Sequence, residues 1–258
     1  HIALLNNDPG LALQRLGSLQ GKLPESSLED YYRAWATLQQ GDSASALTFI
    51  QKANQLDITS LPVYLLWGQI LQAGGDFQGS LQPLTTYLTY VPTDPDGVYA
   101  LANGYFHLEQ YDLTVSTLGA LIELHPDRMD AFLLRGEAYM KIQDYARAQE
   151  DFQEALKLDP RSYEASLGRG RALLANNSAG SAYMQFVRTR DLAVTDTQKA
   201  ELSYWSASAN LALGEISAAI RDFETFLSYP PELVSPELRA DAEARYLAII
   251  TPMPTPTP

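Results

Sequence analysis

The sequence predicts an all-α array of stacked helix pairs, on three observations: an internal period of 34 residues, small and large residues recurring in register along it, and prolines recurring where the copies end. The small residues Ala34, Gly68, Ala102, Gly136 and Gly170 stand at the eighth place of successive copies, and Ala207 continues the series after a three-residue insertion. Ala12, Ala46, Ser80, Thr114, Ala148, Ala182 and Ala219 occupy the twentieth place. Four residues later come Leu16, Ile50, Leu84, Leu118, Phe152, Phe186 and Phe223. A small residue one helical turn before a large one lets two helices approach and interlock. Pro24, Pro92, Pro126, Pro160 and Pro231 end the second helices, because proline cannot donate the helical hydrogen bond.

In chain order, residues 1–26 form a partial copy whose first helix already contains His1, so the register predicts further residues before it; its second helix runs from Leu11 to about Lys22. Full copies follow at 27–60, 61–94, 95–128, 129–162, 163–199 (with the insertion) and 200–233. The turns inside the copies, Gln40-Gly41-Asp42, Gly74-Gly75-Asp76, Glu109-Gln110-Tyr111, Ile142-Gln143-Asp144 and Leu213-Gly214-Glu215, fall at matching places; Gly ends one helix there and Asp caps the next. Pro83, with Gly79, Thr85, Thr86 and Thr89, marks the stretch from Leu81 to Val91 as the weakest helix. Residues 234–250 read as a capping helix, apolar on one side and polar on the other, opened by Ser235-Pro236-Glu237. Residues 251–258, alternating Thr or Met with Pro, read as an extended linker.

Met129 to Ser162, with Phe132, Gly136, Tyr139, Ala148, Phe152, Ala155 and Pro160, resembles the tetratricopeptide repeat signature, and the register extends that resemblance over nearly the whole chain. Ile58 and Val194 replace the terminal proline, and Asn210 a large first-helix residue. The resemblance implies a right-handed α-α superhelical solenoid whose first helices line a concave, ligand-binding side. The lining candidates are Tyr31, Trp35, Gln69, Tyr99, Asn103, Phe106, Glu137, Arg171 and Tyr204, with Leu65, Leu133, Leu167 and Ser208 beside them. Tyr99, Asn103 and Phe106 share one helix side, and Glu137, 34 residues after Asn103, is expected beside it, a carboxylate favouring a basic group on the ligand. The family's Lys, Asn and Arg grip on a C-terminal carboxylate is not reproduced: the equivalent places hold Leu133, Glu137 and Gln69.

Composition narrows the function. Lys and Arg total 18 against 31 Asp and Glu, and the formal charge of -13 disfavours nucleic acid as a partner. No apolar run is long enough to span a membrane. There is no cysteine, the three histidines lack zinc-helix spacing, Gly168-Arg169-Gly170 lacks the strand and third glycine of a phosphate loop, and pairs such as Glu150 and Asp151 lie along solvated helix faces. No catalytic residue, metal or cofactor is expected. Asn176-Asn177-Ser178 is formally a glycosylation acceptor but reads as a turn. The Thr-Pro tail resembles spacers of bacterial extracellular or envelope domains and favours an exported protein over a cytoplasmic one. The expected function is a non-catalytic scaffold for a peptide or extended protein segment; the alternative is a substrate-docking or sensory arm of a larger enzyme or receptor.

Overall fold

A computed structural model describes residues 1–19 and 24–251. Lys22, the expected end of the partial copy's second helix, and the Pro-rich residues 252–258 of the expected linker lie outside them. Among the described residues every regular element is a helix. The chain divides into two compact units, His1–Pro126 and Asp127–Pro258.

The first unit holds α1 (Ile2–Leu5), α2 (Pro9–Leu19), α3 (Ser27–Gln39), α4 (Ser43–Leu56), α5 (Leu61–Ala73), α6 (Phe77–Tyr90), α7 (Pro95–His107) and α8 (Tyr111–Leu124). The second holds α9 (Met129–Lys141), α10 (Tyr145–Leu158), α11 (Tyr163–Ala175), α12 (Ala179–Thr189), α13 (Asp196–Ala212), α14 (Ile216–Ser228) and α15 (Pro236–Ile250), with 3-10 turns at Arg190–Leu192 and Pro231–Leu233. Within each unit, odd-numbered first helices pack on their even-numbered partners and on the next first helix.

Packing follows the register of small and large residues. Ala34, Ala46 and Ile50 are fully buried in one pair, and Ala207, Ala219 and Phe223 in another. A Cβ on Gly136 would stand 3.0 Å from the Phe152 ring, and at Gly68 or Gly170 it would collide with Leu84 or Phe186. Each large residue thus fills the room left by a missing side chain. The Asp42, Asp76 and Asp144 side chains accept the backbone N–H three residues on, capping α4, α6 and α10, whereas Gln110 and Glu215 make no such bond. Gly41, Gly75 and Gly214 take positive φ at the preceding turns, and Glu109, Gln143 and Asn177 adopt the same left-handed backbone without glycine, at φ 58, 61 and 57°.

Three details add to the pattern read in the sequence. α13 begins at Asp196, ahead of Ala200, because Thr195 and Gln198 form a reciprocal capping box. α6 runs unbroken through the buried Pro83; the Thr85, Thr86 and Thr89 hydroxyls donate to the Leu81, Gln82 and Thr85 carbonyls. The outer side of α15 is mixed, with the exposed Glu237 and Glu243 beside Ala240, Ala244, Ala248 and Leu247, the last 55% exposed. Its inner side buries Ala242 with Leu238, Tyr246 and Ile249, and Arg239 donates to the Leu227 and Tyr229 carbonyls.

Candidate binding face

In the first unit the face of the first helices is aromatic and amidic. On α3, the Tyr31 and Tyr32 rings meet edge-on with centroids 5.3 Å apart, and Trp35 stacks on Tyr32 at 6.4 Å. Burial, helped by Tyr32, raises the Tyr31 phenol above its ordinary pKa. Gln69 on α5 is partly buried, and its side chain makes no hydrogen bond among the described residues. On α7, Asn103 Nδ2 donates to Gln72 Oε1 at 3.0 Å, while Gln72 Nε2 donates to the Ala100 carbonyl at 2.7 Å and to Ser80 Oγ at 3.2 Å. Gly104 makes the room, since a Cβ there would stand 3.2 Å from Gln72 Nε2. Tyr99 is partly buried, and Phe106 packs edge-on against His107 and Tyr111, which draws it toward the start of α8.

In the second unit the same face is ionic. Arg171 on α11 donates from Nη1 to Glu137 Oε1 on α9 at 2.8 Å, both side chains staying partly open at 25% and 31% exposure. Its guanidinium carbon lies 5.4 Å from the Trp205 ring centroid on α13, within cation-π range. One turn before Trp205, Glu201 has its carboxyl pushed above the usual carboxylate range by burial, with Glu137 adding to the push; Arg171, the Trp205 indole and the Tyr163 hydroxyl oppose it. Tyr163 donates to the Gln198 carbonyl at 2.8 Å, and burial beside Glu201 raises its phenol. Arg171 is thus ion-paired with Glu137, with the Glu201 carboxyl within its electrostatic reach, on a face walled by aromatic rings.

Asn103 and Glu137, expected to form one patch, belong to different units and each finds its hydrogen-bond partner within its own. Tyr204 is a correction. It is 4% exposed and turned inward, donating to Asp241 Oδ2 of α15 at 2.6 Å and packing on Phe226, because α15 covers that side of α13. Burial first, then Asp241, pushes its phenol up to about 12. Leu167 is likewise buried. Gln72, Glu201, Trp205 and Tyr163 carry much of the two faces but were not singled out by the period; only their spacing from first-helix neighbours marks them. Among the described residues, no three His, Asp or Glu side chains gather as a metal ion would need, and no helix is long and apolar enough to cross a membrane.

A family model described as tetratricopeptide repeat matches residues 133–189. Two rice (Oryza sativa subsp. japonica) proteins named DnaJ protein P58IPK homolog B and homolog A are 27% and 26% identical over 63% and 52% of this chain. The chain spans 34% and 29% of the length of those curated relatives. Among solved structures, a tetratricopeptide repeat protein from Parabacteroides merdae superposes with a TM-score of 0.72 at 20% identity, over 86% of this chain and 88% of that one. MamA from Desulfovibrio magneticus RS-1 gives 0.62 at 20% identity, over 66% and 96%. With its helix pairs in a 34-residue register, the chain matches the tetratricopeptide repeat model over residues 133–189 and shares the fold of these tetratricopeptide repeat structures.

Proposed function

We propose that the protein is a non-catalytic scaffold whose first-helix faces hold an extended protein segment, and that the face of α9, α11 and α13 receives a basic side chain of that segment. The observation that carries this reading is the ion pair itself: among the described residues Arg171 pairs with Glu137 and with no other carboxylate, so the nearby half-buried Glu201 has no ion-pair partner. A lysine or arginine of the ligand set against Glu201 and Trp205 supplies that partner and a cation-π contact. In the first unit, the Asn103 amide held by Gln72 offers its oxygen to a ligand backbone N–H, beside Tyr99. The fold alone, shared with MamA and other repeat proteins, is compatible with many ligands; the local charge narrows the class.

Burial holds the Glu201 proton to a higher pH than an ordinary carboxylate, and a bound cation favours its release. Binding of a basic segment therefore strengthens as pH rises through the raised Glu201 pKa. The test is fluorescence anisotropy with a panel of extended peptides that differ only in Lys, Arg or Glu at one position. The Lys and Arg peptides should bind more tightly than the Glu peptide, and Glu201→Gln should erase that preference, while the exposed Lys157→Ala leaves it intact. Equal binding of basic and acidic peptides would overturn the reading.

A further inference from the structure

Successive pairs of the second unit carry one internal device in two charge states. In the α9/α10 pair, Arg135 grips Asp151 with two parallel bonds, Nε to Oδ2 at 2.8 Å and Nη2 to Oδ1 at 2.7 Å. The guanidinium is thereby neutralised from within. Thirty-four residues on, in the α11/α12 pair, Arg169 stands where Arg135 stands and Gln185 where Asp151 stands. Arg169 Nη1 still donates to Gln185 Oε1, at 2.7 Å, but the acceptor is now neutral.

The replacement is built in firmly. Gln185 is 5% exposed, and its Nε2 donates to Ser166 Oγ at 2.8 Å. Ser166 in turn bonds Thr189 at 2.7 Å, and Thr189 donates to the Gln185 carbonyl at 2.8 Å. Every hydroxyl and amide of this buried chain is engaged, so Arg169 is held in place while its positive charge has no acidic partner among the described residues.

A second sign change lies one turn away. Glu154 of α10, which pairs with Lys157, is matched in α12 by Arg188, exposed and without an acidic partner among the described residues. Arg169, Arg188, Ser181 and Gln185 line one open groove of about 360 Å³ between α11 and α12, with Leu173 and Met184 as its apolar part. Two unbalanced guanidiniums beside a free hydroxyl, in a chain with a formal charge of -13, are a local reversal of sign.

From this groove we infer a second binding site, distinct from the face that carries Glu137 and Arg171, which takes a phosphoryl group. Arg169 and Arg171 are two residues apart on α11 and so point to different sides of it. Guanidinium forks match the oxygens of a phosphoryl group, and two positive charges balance its dianion where a carboxylate would balance only one. The apolar floor of Leu173 and Met184 suits a phosphorylated side chain better than the free ion.

The experiment is an NMR titration of the folded chain with inorganic phosphate, with acetate at matched ionic strength, and with a phosphoserine peptide and its unphosphorylated form. Phosphate and the phosphopeptide should give saturable shifts at Arg169, Ser181 and Arg188. The phosphopeptide binding at least tenfold more tightly than phosphate identifies a partner's side chain as the source, and equal affinity identifies the free ion. Arg188→Ala, on the surface, should weaken phosphate binding about tenfold. Gln185→Asp should abolish it while keeping the helical circular dichroism, because it gives Arg169 the internal counterion that Asp151 gives Arg135. Absence of a saturable phosphate shift, acetate binding as well as phosphate, or unchanged binding in both variants would overturn the proposal.

Discussion

The two units set different chemistry at the same places of the repeat. Gln69 and Asn103 occupy in the first unit the positions that Glu137 and Arg171 occupy in the second, each 34 residues from the last. In the first unit the neighbouring contact is an amide pair, Asn103 with Gln72; in the second it is an ion pair, Arg171 with Glu137. The interlocking of small against large residues beneath is common to both. The repeat thus separates what folds the chain from what a face can recognise: one set of positions is fixed by close packing, and the other is free to carry amides in one place and charges in another.

The comparison breaks most readily at the packing it presumes equal. Gly68→Ala in the first unit and Gly170→Ala in the second each put a Cβ into a buried neighbour, Leu84 or Phe186, and should each cost about 1–3 kcal/mol in chemical unfolding. A large loss in one unit and none in the other would mean that the two are not built alike. Next in size is Arg171→Met, which removes the ion-pair partner of Glu137 and the cation that favours ionised Glu201; the expected loss is about 1–2 kcal/mol at neutral pH, shrinking as acid protonates the carboxylates. The first-unit counterpart, Gln72→Ala, should cost about 1 kcal/mol at every pH, since no charge is involved.

Glu201→Gln sharpens the contrast further. A carboxyl whose folded pKa lies above its unfolded value favours the fold while protonated, and that contribution is lost as pH rises through the folded pKa. At neutral pH the amide should therefore raise the melting temperature by a few degrees, a gain that disappears toward about pH 4, where the acid is itself protonated in both states. Melting curves at the two pH values check it; a variant less stable than the parent at neutral pH would show Glu201 to be net favourable where it stands. The smallest effect is salt. Raising NaCl from 0.1 to 1 M should weaken the Arg171 and Glu137 pair by a few tenths of a kcal/mol and leave the Asn103 and Gln72 contact unchanged, as a double-mutant cycle on each pair would measure.

The fold was legible in the sequence because its rule is local and repeated: Gly136 before Phe152, and Ala34 before Ile50, announce the same close contact in each copy. What escaped lies off that rule. The start of α13 is set by the reciprocal bonds of Thr195 and Gln198, at the joint that holds the three extra residues. Tyr204 looked like a lining residue because its place in the helix is right, but α15 covers it, and Leu167 at the equivalent place of α11 is buried as well. The partners of the candidate faces were harder still. That Asn103 turns to Gln72, or that Arg171 bridges Glu137 and Trp205, depends on rotamers across neighbouring helices, and the sequence shows only that such residues are present.

The three extra residues that lengthen the start of α13, 17 residues long where α11 has 13, have a consequence for engineering. The 3-10 turn Arg190–Leu192 and the capped start at Thr195 absorb them without disturbing the burial of Ala207, Ala219 and Phe223 downstream. Val194, in that joint, is 75% exposed. A splice point that already tolerates a break in the period is where a designer could graft a reporter loop or an additional helix pair, leaving the modules on either side to fold by their own internal fit.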